Sequence, residues 1–282
     1  MSPIKTPTFK IIVRTVYATT LVLLVLIFWT IAALCIYGDI AYDDQGEIGD
    51  YGYLDNVACN VSDIKLQGNI ATYTLESDED MVSSEALVAA IREADEDDGI
   101  KAILLEIDST GGSPVASEEI ADALKRARKP TVAVIREYGD SGAYWVATGA
   151  DRIFASASSE LGSIGVTMSY LDNSQQNTND GLVYNQISAG KFKDTGSPDK
   201  TLTEEERQLL QRDIDILHEN FIDAVATNRN LDADKVRALA DGSTMLGDAA
   251  LANGLIDRIG GISEAEEYLA EVIGEEARIC QK

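Results

Sequence analysis

Two short, largely apolar runs, each ending in a glycine-containing turn that opens a helix, decide what this chain can fold into. Ala102–Ile107 and Thr131–Ile135 carry little alternation and are bounded by turn residues, as expected of strands buried on both faces of a parallel sheet. The first leads through Asp108-Ser109-Thr110-Gly111-Gly112-Ser113-Pro114 into a helix predicted over 115–127. The second leads through Gly139-Asp140-Ser141-Gly142-Ala143-Tyr144 into a helix predicted over 142–148. Further strands are predicted over 69–75, near Ile153, over 164–168 and over 182–187, and further helices over 83–94, 203–228, 232–239, 248–253 and 263–272. The longest of these opens on a Thr203/Glu206 capping box and carries one apolar stripe, Leu210, Ile214, Leu217, Phe221 and Val225. Alternating βα units of this kind imply an α/β fold with a largely parallel sheet.

Upstream lies a different kind of segment. Thr15–Tyr37 is a run of 23 residues without a charge, long enough as a helix to cross a hydrocarbon core. Lys5, Lys10 and Arg14 precede it, and Asp39, Asp43, Asp44, Glu47 and Asp50 follow. The positive-inside rule then puts residues 1–14 in the cytoplasm and everything after the span outside. The run exceeds the apolar stretch of a signal peptide and no small-residue cleavage site follows it, so an uncleaved anchor is the expectation. Residues 38–66 read as a polar tether and 67–282 as the folded domain.

Composition removes several classes of function. The chain has 48 acidic and 23 basic residues and a net charge of −25, an unsuitable surface for nucleic acid. Three cysteines cannot supply an all-thiolate zinc site, and one histidine excludes multi-histidine metal sites. No metal or cofactor is expected. Cys59 and Cys280 both fall on the oxidising side of the membrane, where they either pair and tie the tether to the C-terminus or remain two unrelated thiols. Asn60-Val61-Ser62 fits a glycosylation sequon that also arises by chance.

A strand, a tight turn and a helix start together present free backbone N–H groups at the positive end of a helix dipole, where an oxyanion can be held. Ser141 sits at the tip of the second such turn, and Gly139-x-Ser141-x-Ala143 approximates a nucleophile elbow. The competing reading is a serine that only caps the helix. A serine nucleophile needs a base. The one histidine, His218, lies beside the apolar stripe of the long helix and reads as a boundary residue. Lys191 and Lys193, in Gly190-Lys191-Phe192-Lys193-Asp194, are the other candidates, and spacing alone does not choose between them.

These residues, taken in order, resemble a known family. Ile107-Asp108-Ser109-Thr110-Gly111-Gly112, Ser141-Gly142-Ala143-Tyr144-Trp145-Val146-Ala147, Ala150-Asp151-Arg152-Ile153, Gly162-Ser163-Ile164-Gly165-Val166, Gly190-Lys191-Phe192-Lys193-Asp194 and Leu202-Thr203-Glu204-Glu205-Glu206 succeed one another as in the signal peptide peptidase A family of Ser–Lys peptidases. The resemblance covers about residues 69–270. It implies a ClpP/crotonase-like fold of repeated ββα units, with one transmembrane helix before it. It makes Ser141 the nucleophile and Lys193 the general base, with Lys191 as the other choice. The N–H of Gly142 and one from the Gly111–Gly112 turn would form the oxyanion hole, and Ser163 would line the site near the lysine. Thr110 stands where the family has proline, and Asp140 stands where a small residue is commoner, so Asp140 is expected to point away from the base.

The resemblance also implies a single-pass membrane endopeptidase with its catalytic domain outside the cell. It would take peptide substrates such as signal peptide remnants and contact lipid through residues 15–37. One copy of the catalytic region implies the short form, which assembles into a homo-oligomeric ring. The alternatives are a stomatin-partner-like Ser–Lys protease acting on a membrane protein and a non-catalytic peptide-binding scaffold of the same fold.

Overall fold

A computed structural model describes residues 59–74 and 80–280. The expected anchor at 15–37 lies outside these residues. Among the described residues no helix is long and apolar enough to cross a membrane.

A seven-stranded sheet organises the domain. Its main path runs β1 (Val61–Gln67), β4 (Ala102–Ser109), β5 (Thr131–Asp140), β6 (Arg152–Ala155) and β9 (Arg258–Ile259), every neighbour parallel. β7 (Glu160–Gly162) continues alongside the end of β5, and β8 (Thr244–Leu246) pairs with it antiparallel. A two-stranded parallel sheet of β2 (Asn69–Ala71) and β3 (Met81–Ser83) stands apart from it. The connections between successive parallel strands are helices: α1 (Ser84–Glu96) before β4, α2 (Pro114–Arg126) between β4 and β5, and α3 (Gly142–Thr148) between β5 and β6.

Both sheet faces are covered. On one, Leu87 and Ile91 of α1, Ile120 and Leu124 of α2 and most of α3 pack on Leu105, Ile107, Ala133 and Ile135. The same core takes in Phe221, Ile222 and Val225 of the long helix α5 (Glu204–Arg229). On the other, Ala265 and Leu269 of α8 (Ile262–Ile273) cover Val61, Leu104, Val134 and Phe154. The helix starts are set by local chemistry. Ser83 caps α1, Ser113 caps α2 with Pro114 in its first turn, and Thr203 with Glu206 closes the capping box of α5.

Four details differ from the sequence reading. β1 begins at Val61, inside the stretch 38–66 read as tether. Polar residues hide it: Ser62 within it and Asn60 just before it are buried, and Asn60 bonds to the C-terminal segment through its Nδ2 to the Glu276 carbonyl (3.0 Å). The strand expected over 69–75 is only Asn69–Ala71. No strand forms over 164–168, where Gly242 N–H donates to the Ile164 carbonyl (3.2 Å) in a loop contact instead. None forms over 182–187 either, because that stretch has no partner strand and leaves Leu182, Val183 and Ile187 exposed.

Cys59 and Cys280 are joined in a disulfide. Beside it Cys280 N–H donates to the Val61 carbonyl (2.9 Å) and Asn60 N–H to that of Arg278 (2.9 Å), so the C-terminal segment lies along the free edge of β1. An open sheet edge is thereby closed.

Candidate active site

The site lies at the carboxyl ends of β4 and β5, the usual place for one in an open parallel sheet. β5 runs out at Asp140 and α3 begins at Gly142, leaving Ser141 as the single residue of the turn. Its backbone is left-handed in φ (52°, with ψ −124°), which is costly for a residue with a Cβ, on the order of 1–3 kcal/mol. Two hydrogen bonds and the strand before it hold it there. Ser141 N–H donates to the Gly162 carbonyl of β7 (2.8 Å), its own carbonyl accepts from Trp145 N–H (3.1 Å), and β5 is fixed by its ladder to β4. The Ser141 side chain makes no cap hydrogen bond. The reading of this serine as a simple helix cap is therefore wrong.

The first turn closes against the second. A Cβ on Gly111 would stand 2.8 Å from Gly142 N and 3.0 Å from the Ser141 Cβ, and φ at Gly111 is +102°. Only glycine permits that approach. A Cβ on Gly142 would run into Ser117 Oγ and stand 3.2 Å from Gly112 N. The turn is clipped from outside by β2, through Ile70 N–H to the Gly111 carbonyl (2.9 Å) and Ser113 N–H to the Ile70 carbonyl (2.8 Å). Within it, Ser109 Oγ accepts from Gly111 N–H (3.0 Å) and donates to the Gly68 carbonyl (2.6 Å). Gly112 N–H and Gly142 N–H have no acceptor among the described residues. Two free donors therefore flank the serine, as a developing oxyanion requires.

Ser141, Gly142 and Gly112 open onto a cavity of about 500 Å³. Ser163, also at positive φ (46°), stands on its wall with its Oγ donating to the Gly242 carbonyl (3.1 Å). Trp145 and Phe221 form its apolar side, rings stacked at 4.8 Å. His218, one helical turn before Phe221, lines it too, and its Nε2 is buried without a hydrogen-bond partner. Sequence reasoning misses Trp145 and His218 as cavity residues. Trp145 lies in the motif after Ser141, but His218 reaches the cavity only because α5 crosses α3.

Asp140 is buried and one of its carboxylate oxygens has no partner. Burial, with the nearby charge of Glu160, pushes its carboxyl up to about 6. It does not line the cavity that Ser141 opens onto.

The two lysines lie elsewhere. Lys191 is exposed and paired with Glu205 (2.6 Å). Lys193 is exposed, does not line the cavity of its own chain, and makes no side-chain ion pair among the described residues. The structure thus brings together Ser141, Gly111, Gly112, Gly142 and Ser163, and leaves Lys191 and Lys193 apart from them.

Residues 123–274, more than half of the chain, match peptidase family S49. The chain belongs to that family. Among its relatives, a protein of Enterococcus faecium that carries the name signal peptide peptidase SppA is 32% identical over 77% of this chain and 65% of its own length. A protease of Methanocaldococcus jannaschii is 35% identical over 63% of the chain and 58% of its own length. Protease 4 of Haemophilus influenzae is 28% identical over 78% of the chain and 36% of its own length. The chain thus spans less than two thirds of the length of each of these relatives. The matched region takes in Ser141, Gly142, Ser163 and Lys193, whereas Gly111 and Gly112 lie before it.

Proposed function

We propose that this chain is a serine endopeptidase of ClpP/crotonase-like fold, anchored by residues 15–37 with its catalytic domain outside the cell. In this reading Ser141 is the nucleophile and Lys193 the general base. The observation that carries it is the uncapped Ser141, held at positive φ beside the two free N–H groups of Gly112 and Gly142. A capping serine needs no such geometry.

The neutral amine of Lys193 takes the Oγ proton while Oγ forms a bond to the scissile carbonyl carbon. The carbonyl oxygen, now negative, is held by the N–H groups of Gly142 and the Gly111–Gly112 turn. The C–N bond then breaks, the ammonium of Lys193 returning its proton to the leaving amine. Water, deprotonated by the same lysine, attacks the acyl carbon and releases Ser141. Trp145 and Phe221 favour an apolar side chain next to the cut, which suits signal peptide remnants and the name of the Enterococcus faecium relative.

Lys193 and Ser141 are brought together by assembly into a homo-oligomeric ring, each cavity receiving the lysine of a neighbour. Two observations support this. Lys193 does not line its own chain's cavity, and its segment exposes Leu171, Leu182, Val183 and Ile187, apolar side chains that a second copy would cover. A lysine acts as a base only in dry surroundings, and a closed interface would supply them.

The test is labelling of the detergent-solubilised full chain with a fluorophosphonate. Wild type should label at Ser141, and Ser141→Ala and Lys193→Ala should not. An oligomeric wild type that fails to label would instead favour a peptide-binding scaffold.

A further inference from the structure

From Gly165 to Glu205 no residue is buried, so the segment that carries Lys193 has no apolar core of its own. What gives it shape is polar. The Glu206 carboxylate, 3% exposed, sits at the base of the segment. Its Oε2 accepts from Thr203 N–H (2.9 Å), which with Glu206 N–H donating to Thr203 Oγ1 (3.3 Å) is the capping box, and from the Thr203 hydroxyl (3.0 Å). Its Oε1 accepts from Lys200 Nζ (2.5 Å) and Thr195 Oγ1 (3.3 Å), which no helix cap requires. Lys200 Nζ also lies 3.2 Å from Asp194 Oδ1. Asp194, next in sequence to Lys193, accepts further from Gln186 Nε2 (2.7 Å) and from the Tyr184 hydroxyl (3.1 Å).

We propose that Glu206, acting through Lys200 and Asp194, is a positioning residue that fixes the Lys193 segment for the reaction. This rests on the reading of Lys193 as the base. Glu206 is anchored in α5, whose far half is part of the main core, so the network relays a rigid position to an otherwise coreless loop. The Lys200 ammonium and the Thr203 N–H hold the Glu206 carboxyl down at about 2, so the pair stays charged through the neutral range. Each charge in the network is hydrogen-bonded, the condition under which a buried ion pair fixes one geometry.

Glu206→Gln separates the two roles of this side chain. Glutamine at that position keeps a capping box but removes the charge that Lys200 needs. Lys200→Met removes the partner and leaves the cap intact. Lys200→Arg keeps the charge and serves as the rescue. A misplacement of about 1 Å at a reacting group costs about 10²-fold in rate. Glu206→Gln and Lys200→Met should therefore each lower kcat about 10²-fold with KM little changed, and slow fluorophosphonate labelling of Ser141 alike. Glu206→Gln should keep the melting temperature and oligomeric state, and Lys200→Arg should recover most of the rate. Lys200→Met, which leaves the buried carboxylate without its cation, should lower the melting temperature as well. Wild-type kcat in Lys200→Met, with Lys193→Ala inactive, would overturn the positioning role and leave the dyad standing. Full activity in Lys193→Ala would overturn the dyad itself, and the positioning role with it.

Discussion

Trp145 of α3 and Phe221 of α5 stack with their planes 12° apart, and this pair joins the hydrophobic core to the cavity that Ser141 faces. Phe221 is 2% exposed. The same two rings therefore contribute to stability and shape the pocket. Phe221→Ala should cost about 3 kcal/mol in chemical denaturation, from lost burial and the space left behind. It should also raise kcat/KM for peptides with a bulky apolar residue at the cut relative to those with a small one. An unchanged preference would mean that the pocket reads a different side chain.

The contact between the two turns leaves no room for a methyl group. Gly111→Ala would push a Cβ against Gly142 N and the Ser141 Cβ, at a backbone angle only glycine accepts freely. Loss of one oxyanion donor costs about 10²- to 10³-fold in kcat. A drop of that size is expected in peptide hydrolysis, with the far-UV spectrum of a folded protein. Near-normal turnover would remove the first glycine turn from the mechanism.

Asp140 gives stability a pH dependence of known sign. Its folded-state pKa of about 6 lies above the ordinary value of 3.8, so the native state binds its proton more tightly than the unfolded chain does. That contribution is present below about pH 4 and is lost as pH rises toward 6. Asp140→Asn abolishes the titration. Relative to wild type it should be more stable by on the order of 1–2 kcal/mol at pH 7 and about equal at pH 4, in thermal melts at the two values. Equal stability at both would show that the carboxylate is solvated.

The Cys59–Cys280 disulfide closes a loop of 221 residues. Cross-links over long stretches typically contribute about 2–5 kcal/mol, chiefly by restricting the unfolded chain. Cys280→Ser should lower the melting temperature, and reductant should lower that of wild type to match. A wild type insensitive to reductant would mean that the edge hydrogen bonds around Val61 suffice.

Much of this site is legible in the sequence where a local rule governs it. β4 and β5 are readable because strands buried on both faces are nearly all apolar. The Thr203/Glu206 cap is readable because a capping box spans only four residues. Ser141 is readable as a candidate, but its φ of 52° is not, since the strain is imposed by β7 through Gly162. β1 is hidden because its start, Asn60 and Val61, is paired with the C-terminal segment, more than two hundred residues away in sequence. Leu182–Ile187 misleads for the opposite reason. Its apolar pattern is that of a strand, but no strand among the described residues pairs with it, and Leu182, Val183 and Ile187 stay exposed.

The most direct test of a dyad shared between subunits is a mixing experiment with two inactive variants. Full-length Ser141→Ala and Lys193→Ala are co-expressed with different tags, and mixed oligomers are purified through both tags in detergent. If the serine of one subunit meets the lysine of its neighbour, mixed oligomers should regain a substantial part of wild-type peptidase activity, while either variant alone stays inactive. Mixed oligomers as inactive as their parents would contradict a dyad completed between subunits.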